Sequence, residues 1–265
     1  MRFAVLGSSS AGNASVLRIE PRDASMGVPR QILIDAGLSP KATRGRMRAL
    51  GFDLADTTDI LYTHFDMDHA RASWATPVMC FGMTVRCARR HLPLAKARGL
   101  PSQFTHAFDG PFELGAGFRV LPIDLPHDES GAVAFRIETP AGSVGFATDL
   151  GRVEASLLEA FDGVHLLAIE SNYDRSMQLR SARPLFLKER IMGGSGHLSN
   201  EQTLEFVQTL AQRSAPEHIA LLHLSRECND PSVIEALWKA RAPELWTRVV
   251  IALPDEGVHV LLGQS

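Results

Sequence analysis

The chain repeatedly runs a short apolar stretch up to a single ionisable residue. "ILID" ends in Asp35, "ILYTH" in His64 and "VGFATD" in Asp149, while His127 follows "VLPIDLP" and His223 lies within "ALLHLS". Short apolar runs bounded by turn residues read as buried strands. A charged or imidazole group is costly inside such a core unless it is paired. The strands therefore have to deliver these groups to a shared polar rim, and a fold that does so gathers side chains from distant sequence into one place.

The remaining pattern agrees with strands interleaved by helices. "RFAVL", "ASVLRIE", "QILIDAG" and "DILYTH" read as strands, and "SPKATRGRMRALG" as a helix capped by Ser39, with Pro40 in its first turn and Gly51 after its end. Further on, "FRVLPIDLPH", "GAVAFRIET" and "GSVGFATD" read as strands, the last two joined by a "PAG" turn. "RVEASLLEAF", "ARPLFLKERIM", "SNEQTLEFVQTLAQR" and "SVIEALWKARA" read as helices, and "VHLLAIE", "HIALLHLS", "RVVIALP" and "VHVLLG" as strands. Layered sheets covered by helices follow from this alternation. No Pro/Gly/Ser linker divides the 265 residues, which predicts a single domain over 1–265.

Composition narrows the setting. Hydrophobic residues make up 45% and charged residues 22%, and the net charge is -3, so the chain is not coated with positive charge for nucleic acid, although a local basic groove is compatible with that balance. Three cysteines, with no CxxC pair, predict free thiols and a cytoplasmic protein. No apolar run approaches the roughly 18–20 residues that span a bilayer, so no membrane partner is expected. Oligomeric state is not encoded in any pattern we read.

The densest chemistry is "THFDMDHA", which places His64, Asp66, Asp68 and His69 within one short stretch. A lone histidine at a strand end is usually structural. Histidines at 64, 127 and 223 together with this cluster point instead to metal ligation. Two divalent ions need about four protein ligands each, and His64, Asp66 and His127, then Asp68, His69 and His223, with Asp149 shared, supply that number.

The order of strand aspartate, HxxxDH cluster, later His, later Asp and last His resembles the metallo-β-lactamase superfamily across the chain. The stretches "GSSSAGNAS", "ILIDAGLS", "PHDESGAVAFRI", "FATDLG", "ESNYD", "GHLSNEQT" and "HLSRECNDP" are similar to its YycJ/WalJ-like hydrolases. The resemblance implies an α+β fold, the four-layer αββα sandwich, with a dinuclear site. It implies that His64, Asp66 and His127 hold the first ion, that Asp68, His69 and His223 hold the second, and that Asp149 bridges them. Asp35 resembles the first strand aspartate of the family, which supports the cluster without being a ligand. Exonuclease-like hydrolysis of DNA is the activity implied, driven by water whose pKa the two ions lower.

One residue departs from the family pattern. Where the family reads HxHxDH, this chain reads HxDxDH, with Asp66 in place of the second histidine. A carboxylate is a harder ligand than imidazole and favours manganese or iron over zinc, so Asp66 is expected to remain a ligand to zinc, manganese or iron.

Catalytic assignments fall on Asp68 and on His197 in "GGSGHLSNEQT", the latter as a contact to phosphate or the leaving group. Substrate-binding assignments fall on Ser9 and Asn13 of the glycine- and serine-rich "GSSSAGNAS" turn. Between Asp68 and Asp109 the chain carries Arg71, Arg86, Arg89, Arg90, Lys96 and Arg98 and no acid; this is either a solvated helix face or a track for a polyanion. Two other readings stay open: a hydrolase of a small ester, thioester, lactone or cyclic phosphate, and a non-catalytic metal-binding or sensor protein with a degenerate first site at Asp66.

Overall fold

The structure, a computed structural model, describes residues 1–19, 29–115, 117–127, 129–253 and 258–261. Glu20, Pro254, Leu262 and Gly263, at the ends of predicted strands, lie outside the described residues, as does Asp128 of the "PHDESG" stretch. The chain divides into two compact units, the first comprising Met1–Leu121, Glu138–Gly142 and Asp255–Ser265, the second Pro122–Ile137 and Ser143–Pro254.

The first unit carries a seven-stranded sheet. Its strands are β1 (Arg2–Gly7), β2 (Ala14–Ile19), β3 (Arg30–Ile34), β4 (Thr57–Leu61), β5 (Thr84–Ala88), β6 (Thr105–Phe108) and, from the far end of the chain, the strand Val258–Leu261. The first three strands pair antiparallel, whereas β3, β4, β5 and β6 are parallel neighbours. Parallel pairing brings the C-terminal ends of adjacent strands to one edge, where ligands collect in open α/β sheets. The core beneath is built on Met47, Tyr62, Phe65 and Trp74, all buried. Helix Pro40–Ala49 starts as predicted, with the Ser39 hydroxyl accepting from the Ala42 amide.

The second sheet follows the order of the strands Val249–Ile251, His218–Leu222, Leu166–Glu170, Gly142–Ala147, Ala132–Thr139, Phe118–Leu125 and Phe112–Gly115. We number these in chain order β7 (Phe112–Gly115), β8 (Phe118–Leu125), β9 (Ala132–Thr139), β10 (Gly142–Ala147), β11 (Leu166–Glu170), β12 (His218–Leu222) and β13 (Val249–Ile251), with Val258–Leu261 as β14. Strands β10 to β13 are parallel. The second unit has its own core, including Phe161, Phe206, Leu210 and Trp238. Its longest helix, Asn200–Ser214, begins with a capping box in which Ser199 and Gln202 satisfy each other's backbone N–H groups.

Some local readings differ from the structure. The predicted strand "DILYTH" stops at Leu61. Thr63 turns its N–H to the Asp35 carboxylate instead of continuing the ladder, and that exchange bends the cluster loop away from the sheet. The arginine-rich segment does not form a single helix face. Arg86 lies in β5, where Val85 and Cys87 alternate into the core, and Lys96 lies in the short helix Leu92–Ala97.

Candidate metal centre

In the first unit the candidate residues gather around one buried carboxylate. Asp35 follows β3 in a left-handed backbone conformation, with φ 59°. Its Oδ1 accepts from the Thr63 amide at 2.8 Å, and its Oδ2 lies 2.8 Å from the Thr63 hydroxyl and 2.7 Å from His69 Nδ1. An ionised carboxylate only accepts, so the proton on His69 sits at Nδ1 and the lone pair at Nε2. The single hydroxyl proton of Thr63 goes to Asp35, so Thr63 Oγ1 accepts from His64 Nδ1 at 3.0 Å. His64 Nε2 is then also a lone pair. One aspartate thereby sets the tautomer of both imidazoles, whose rings lie 4.1 Å apart. Burial pushes the Asp35 carboxyl above its ordinary range, against the pull of His69 and Thr63.

The other members of the cluster flank these rings. Asp68 Oδ2 is 3.7 Å from His69 Nε2, and Asp66 Oδ2 is 3.9 Å from His64 Nε2. Asp66 is half-exposed, and its backbone carbonyl accepts from the His69 and Ala70 amides, closing the turn. Asn13 Nδ2 lies 2.8 Å from His69 Nε2 and 3.2 Å from Asp68 Oδ2, so Asn13 faces the same donor atoms. The Ser9 hydroxyl is instead taken by its own turn, accepting from the Ala11 amide. The glycine of "ILIDAGLS" is required by close approach: a Cβ on Gly37 would sit 1.6 Å from the Asp68 carbonyl oxygen.

In the second unit three neighbouring parallel strands deliver the donors. β10 is followed by Asp149, β11 ends in Glu170 and β12 is followed by His223. Asp149 and His223 adopt left-handed φ of 60° and 56°; with Asp35 they are the non-glycine residues in that region among those described. Such a conformation costs roughly 1–3 kcal/mol and is kept where surrounding structure demands it. Here it turns each side chain out of the strand direction. Asp149, Glu170, His197 and His223 offer donor atoms that all lie within 4.8 Å of one another. His127 Nε2 lies 3.9 Å from Asp149 Oδ1.

Glu170, which was not singled out from the sequence, anchors this half. It is fully buried and accepts from the amides of Asp149 (2.9 Å), Leu150 (3.0 Å) and Leu198 (2.8 Å). Its Oε2 also lies 3.3 Å from His197 Nδ1 and 3.5 Å from His223 Nδ1. Burial raises the carboxyl, but the His197 charge and the hydrogen bonds from both imidazoles outweigh it and hold Glu170 below the usual range. The signal was present: "LLAIE" ends an apolar run in an acid, as "ILID" and "VGFATD" do.

A second unassigned layer lies behind it. Asn172 Nδ2 donates to the His223 carbonyl at 2.7 Å, Asn229 Nδ2 donates to the Ser171 and Asn172 carbonyls, and Asn200 and Ser171 close the network. The polar letters of "ESNYD", "GHLSNEQT" and "HLSRECNDP" thus interlock as one buried web.

The donor chemistry fits divalent metal in each unit. Imidazole lone pairs fixed by buried carboxylates, beside further carboxylate oxygens, form a mixed nitrogen and oxygen set suited to zinc, manganese or iron.

Comparison with known proteins identifies the family. Residues 30–223 match the family described as the Beta-lactamase superfamily domain. The chain is 26% identical over 237 residues to exodeoxyribonuclease YycJ of Bacillus anthracis, covering 86% of this chain and 84% of that protein. Among solved structures it is similar to Zn(2+)-bound PqqB from Methylobacterium extorquens, with a TM-score of 0.69 and 16% identity over 99% of this chain and 100% of the other. It is also similar to a diphosphatase from the PhnP family, with a TM-score of 0.66 and 14% identity over 98% of each chain.

Proposed function

The chain belongs to the β-lactamase superfamily and is a metal-dependent hydrolase of the α+β metallo-β-lactamase fold, and from that premise we propose that it hydrolyses the phosphodiester bonds of DNA from a strand end. The observation that carries the reading is the alignment of buried imidazoles beside carboxylates in each unit, with His64 and His69 set by Asp35 and His223 next to Asp149. The choice of DNA is supported by similarity to an exodeoxyribonuclease along 86% of the chain.

In this reading the whole chain acts as one domain, and His64, Asp66, His127, Asp68, His69, Asp149 and His223 hold two divalent ions, with Asp35 positioning His69 and His64. When bound, the ions would acidify water and neutralise charge on phosphate oxygens. The protein groups supply the rest. Asp68, held by Asn13 at 3.2 Å, orients the attacking water. His197, with Nδ1 turned to Glu170, has Nε2 to give a proton to the leaving oxygen. Ser9 and Asn13 shape the turn against which substrate rests. No helix among the described residues is long and apolar enough to cross a membrane.

The test is to measure metal content of the purified protein, reload it with Mn²⁺, Zn²⁺ or Fe²⁺, and assay end-labelled DNA beside bis-p-nitrophenyl phosphate. Stepwise release of nucleotides from one end is expected. Turnover of the small diester with DNA untouched would move the substrate to a small phosphate ester. A protein that retains metal and hydrolyses neither would be a binding or sensor protein.

A further inference from the structure

We propose that Arg71 and Arg98 form a subsite for a DNA phosphate flanking the one that is cleaved, in a recess beside Asp68. This rests on the phosphodiesterase reading and deepens it. The recess, in the first unit, has a volume of about 470 Å³, and Ser10, Met67, Asp68, Arg71 and Arg98 are among its lining residues. Asp68 is the one carboxylate lining it, and is itself a proposed metal ligand.

The basic segment between Asp68 and Asp109 sorts itself once its contacts are known. Arg86 is bound to the buried Asp59 at 3.1 Å, and Arg89 to Asp109 at 2.6 Å. Each thus faces a carboxylate, Asp59 being shared with Arg30. Arg71 and Arg98 are held differently, by neutral carbonyl oxygens. Arg71 donates from Nε to the Gly37 carbonyl and from Nη2 to the Ala11 carbonyl at 2.9 Å. Arg98 donates from Nε and Nη2 to the Phe65 carbonyl, at 3.2 and 2.7 Å. Among the described residues neither has a carboxylate partner or a hydrogen bond from Nη1.

Each guanidinium is thus oriented without being neutralised, and each keeps a donor to offer. Two such groups beside one recess suit a phosphate, whose oxygens match the planar guanidinium. The orientation is already fixed by backbone contacts, so little side-chain entropy is lost on binding. Met67, 72% exposed in the same lining, adds a soft apolar surface for a sugar or base. The recess therefore favours a nucleotide over a free phosphate ion.

The test uses the full metal-loaded chain and a fluorescent thymidine oligonucleotide with uncleavable phosphorothioate links, titrated at several salt concentrations. Arg98→Ala and Arg71→Ala are each expected to weaken binding about five- to tenfold. Each should also flatten the log–log salt dependence by about 0.7, the value of one phosphate contact on a single strand. Arg98→Lys and Arg71→Lys keep the charge and should keep the wild-type slope. In steady-state assays the Ala variants should lose more on an oligonucleotide than on bis-p-nitrophenyl phosphate, which has no flanking phosphate.

Arg71 also ties two loops together, so metal content is measured on every variant, and Arg98 decides if the Arg71 variants do not fold. Folded Ala variants with wild-type affinity and slope would overturn the subsite. Equal losses on the two substrates would overturn the flanking assignment. A wild-type protein that neither binds the oligonucleotide nor cleaves any phosphodiester would overturn the parent reading as well.

Discussion

The two units align their candidate metal donors by different means. In the first unit the imidazoles and carboxylates come from one short loop, and a single residue outside it, Asp35, aligns both rings, one directly and one through Thr63. In the second unit every donor comes from a different segment. Strand register aligns them, a buried glutamate pins three backbone amides, and an asparagine web fixes the loops behind. A loop cluster needs an orienting contact, whereas donors spread over three strands need an anchor. Damage should therefore differ in kind: loss of imidazole alignment in the first half, loss of folding in the second.

The most severe way to break this contrast is Glu170→Ala. It strands three buried amide donors and removes the charge facing His197 and His223. Removing one partner of a buried charged network costs about 3–5 kcal/mol. Urea unfolding should show a loss of that size, with metal content falling in parallel. A variant as stable as wild type would mean that the strands hold the second half unaided.

Asp35→Asn should be milder for folding and severe for metal. The amide keeps the shape but no longer enforces the Nδ1 proton on His69, and outer contacts of this kind are worth about 10- to 100-fold in metal affinity. Competition with a chromogenic chelator measures it. If affinity stays at the wild-type level while stability drops, Asp35 is a folding residue and the contrast between the halves disappears.

Asp66→His sharpens the comparison within the first half. Asp66 is half-exposed beside a buried His64, so the exchange has room. Restoring imidazole is expected to raise zinc over manganese preference by about tenfold, ~1.4 kcal/mol. The reading is metal content after equilibration with equal concentrations of both ions. An unchanged ratio would show that ligand hardness at 66 does not set the preference.

The smallest effect belongs to the second unit's periphery. Asp230 caps helix Pro231–Arg241, and its hydrogen bonds from the Ser232 hydroxyl and amide hold its carboxyl below the usual range. The sign follows: the cap stabilises above the unfolded carboxyl pKa, near 3.9, and that contribution fades as pH falls through the lower folded value. Asp230→Ala should cost about 1 kcal/mol at neutral pH and progressively less below about pH 4. A pH-independent difference in unfolding midpoint would remove the charged cap from the account.

Much was legible from the residues. The cluster His64, Asp66, Asp68 and His69 is local, so its chemistry can be read from a single stretch. The cap at Ser39 is local too, and occurs as read. So is the rule that an apolar run ends in an ionisable residue, because that pattern reflects burial, which the letters carry directly. The rule also covered Glu170, but an acid ending a strand looks the same whether it holds an ion, a backbone amide or water.

What only the tertiary structure decided is which groups meet and which charges survive. Arg86 and Arg98 are equivalent letters in a basic run, yet one pairs with the buried Asp59 and the other is braced on the Phe65 carbonyl. Asn172, Asn200 and Asn229 are ordinary polar residues in sequence and one buried web in space. The left-handed turns at Asp35, Asp149 and His223 have no glycine to announce them. Local sequence records hydrophobic period and cap chemistry because those energies act over a few residues. Hydrogen-bond partners and charge compensation are set across scores of residues, by strand register and loop packing, and are settled only when the chain has folded.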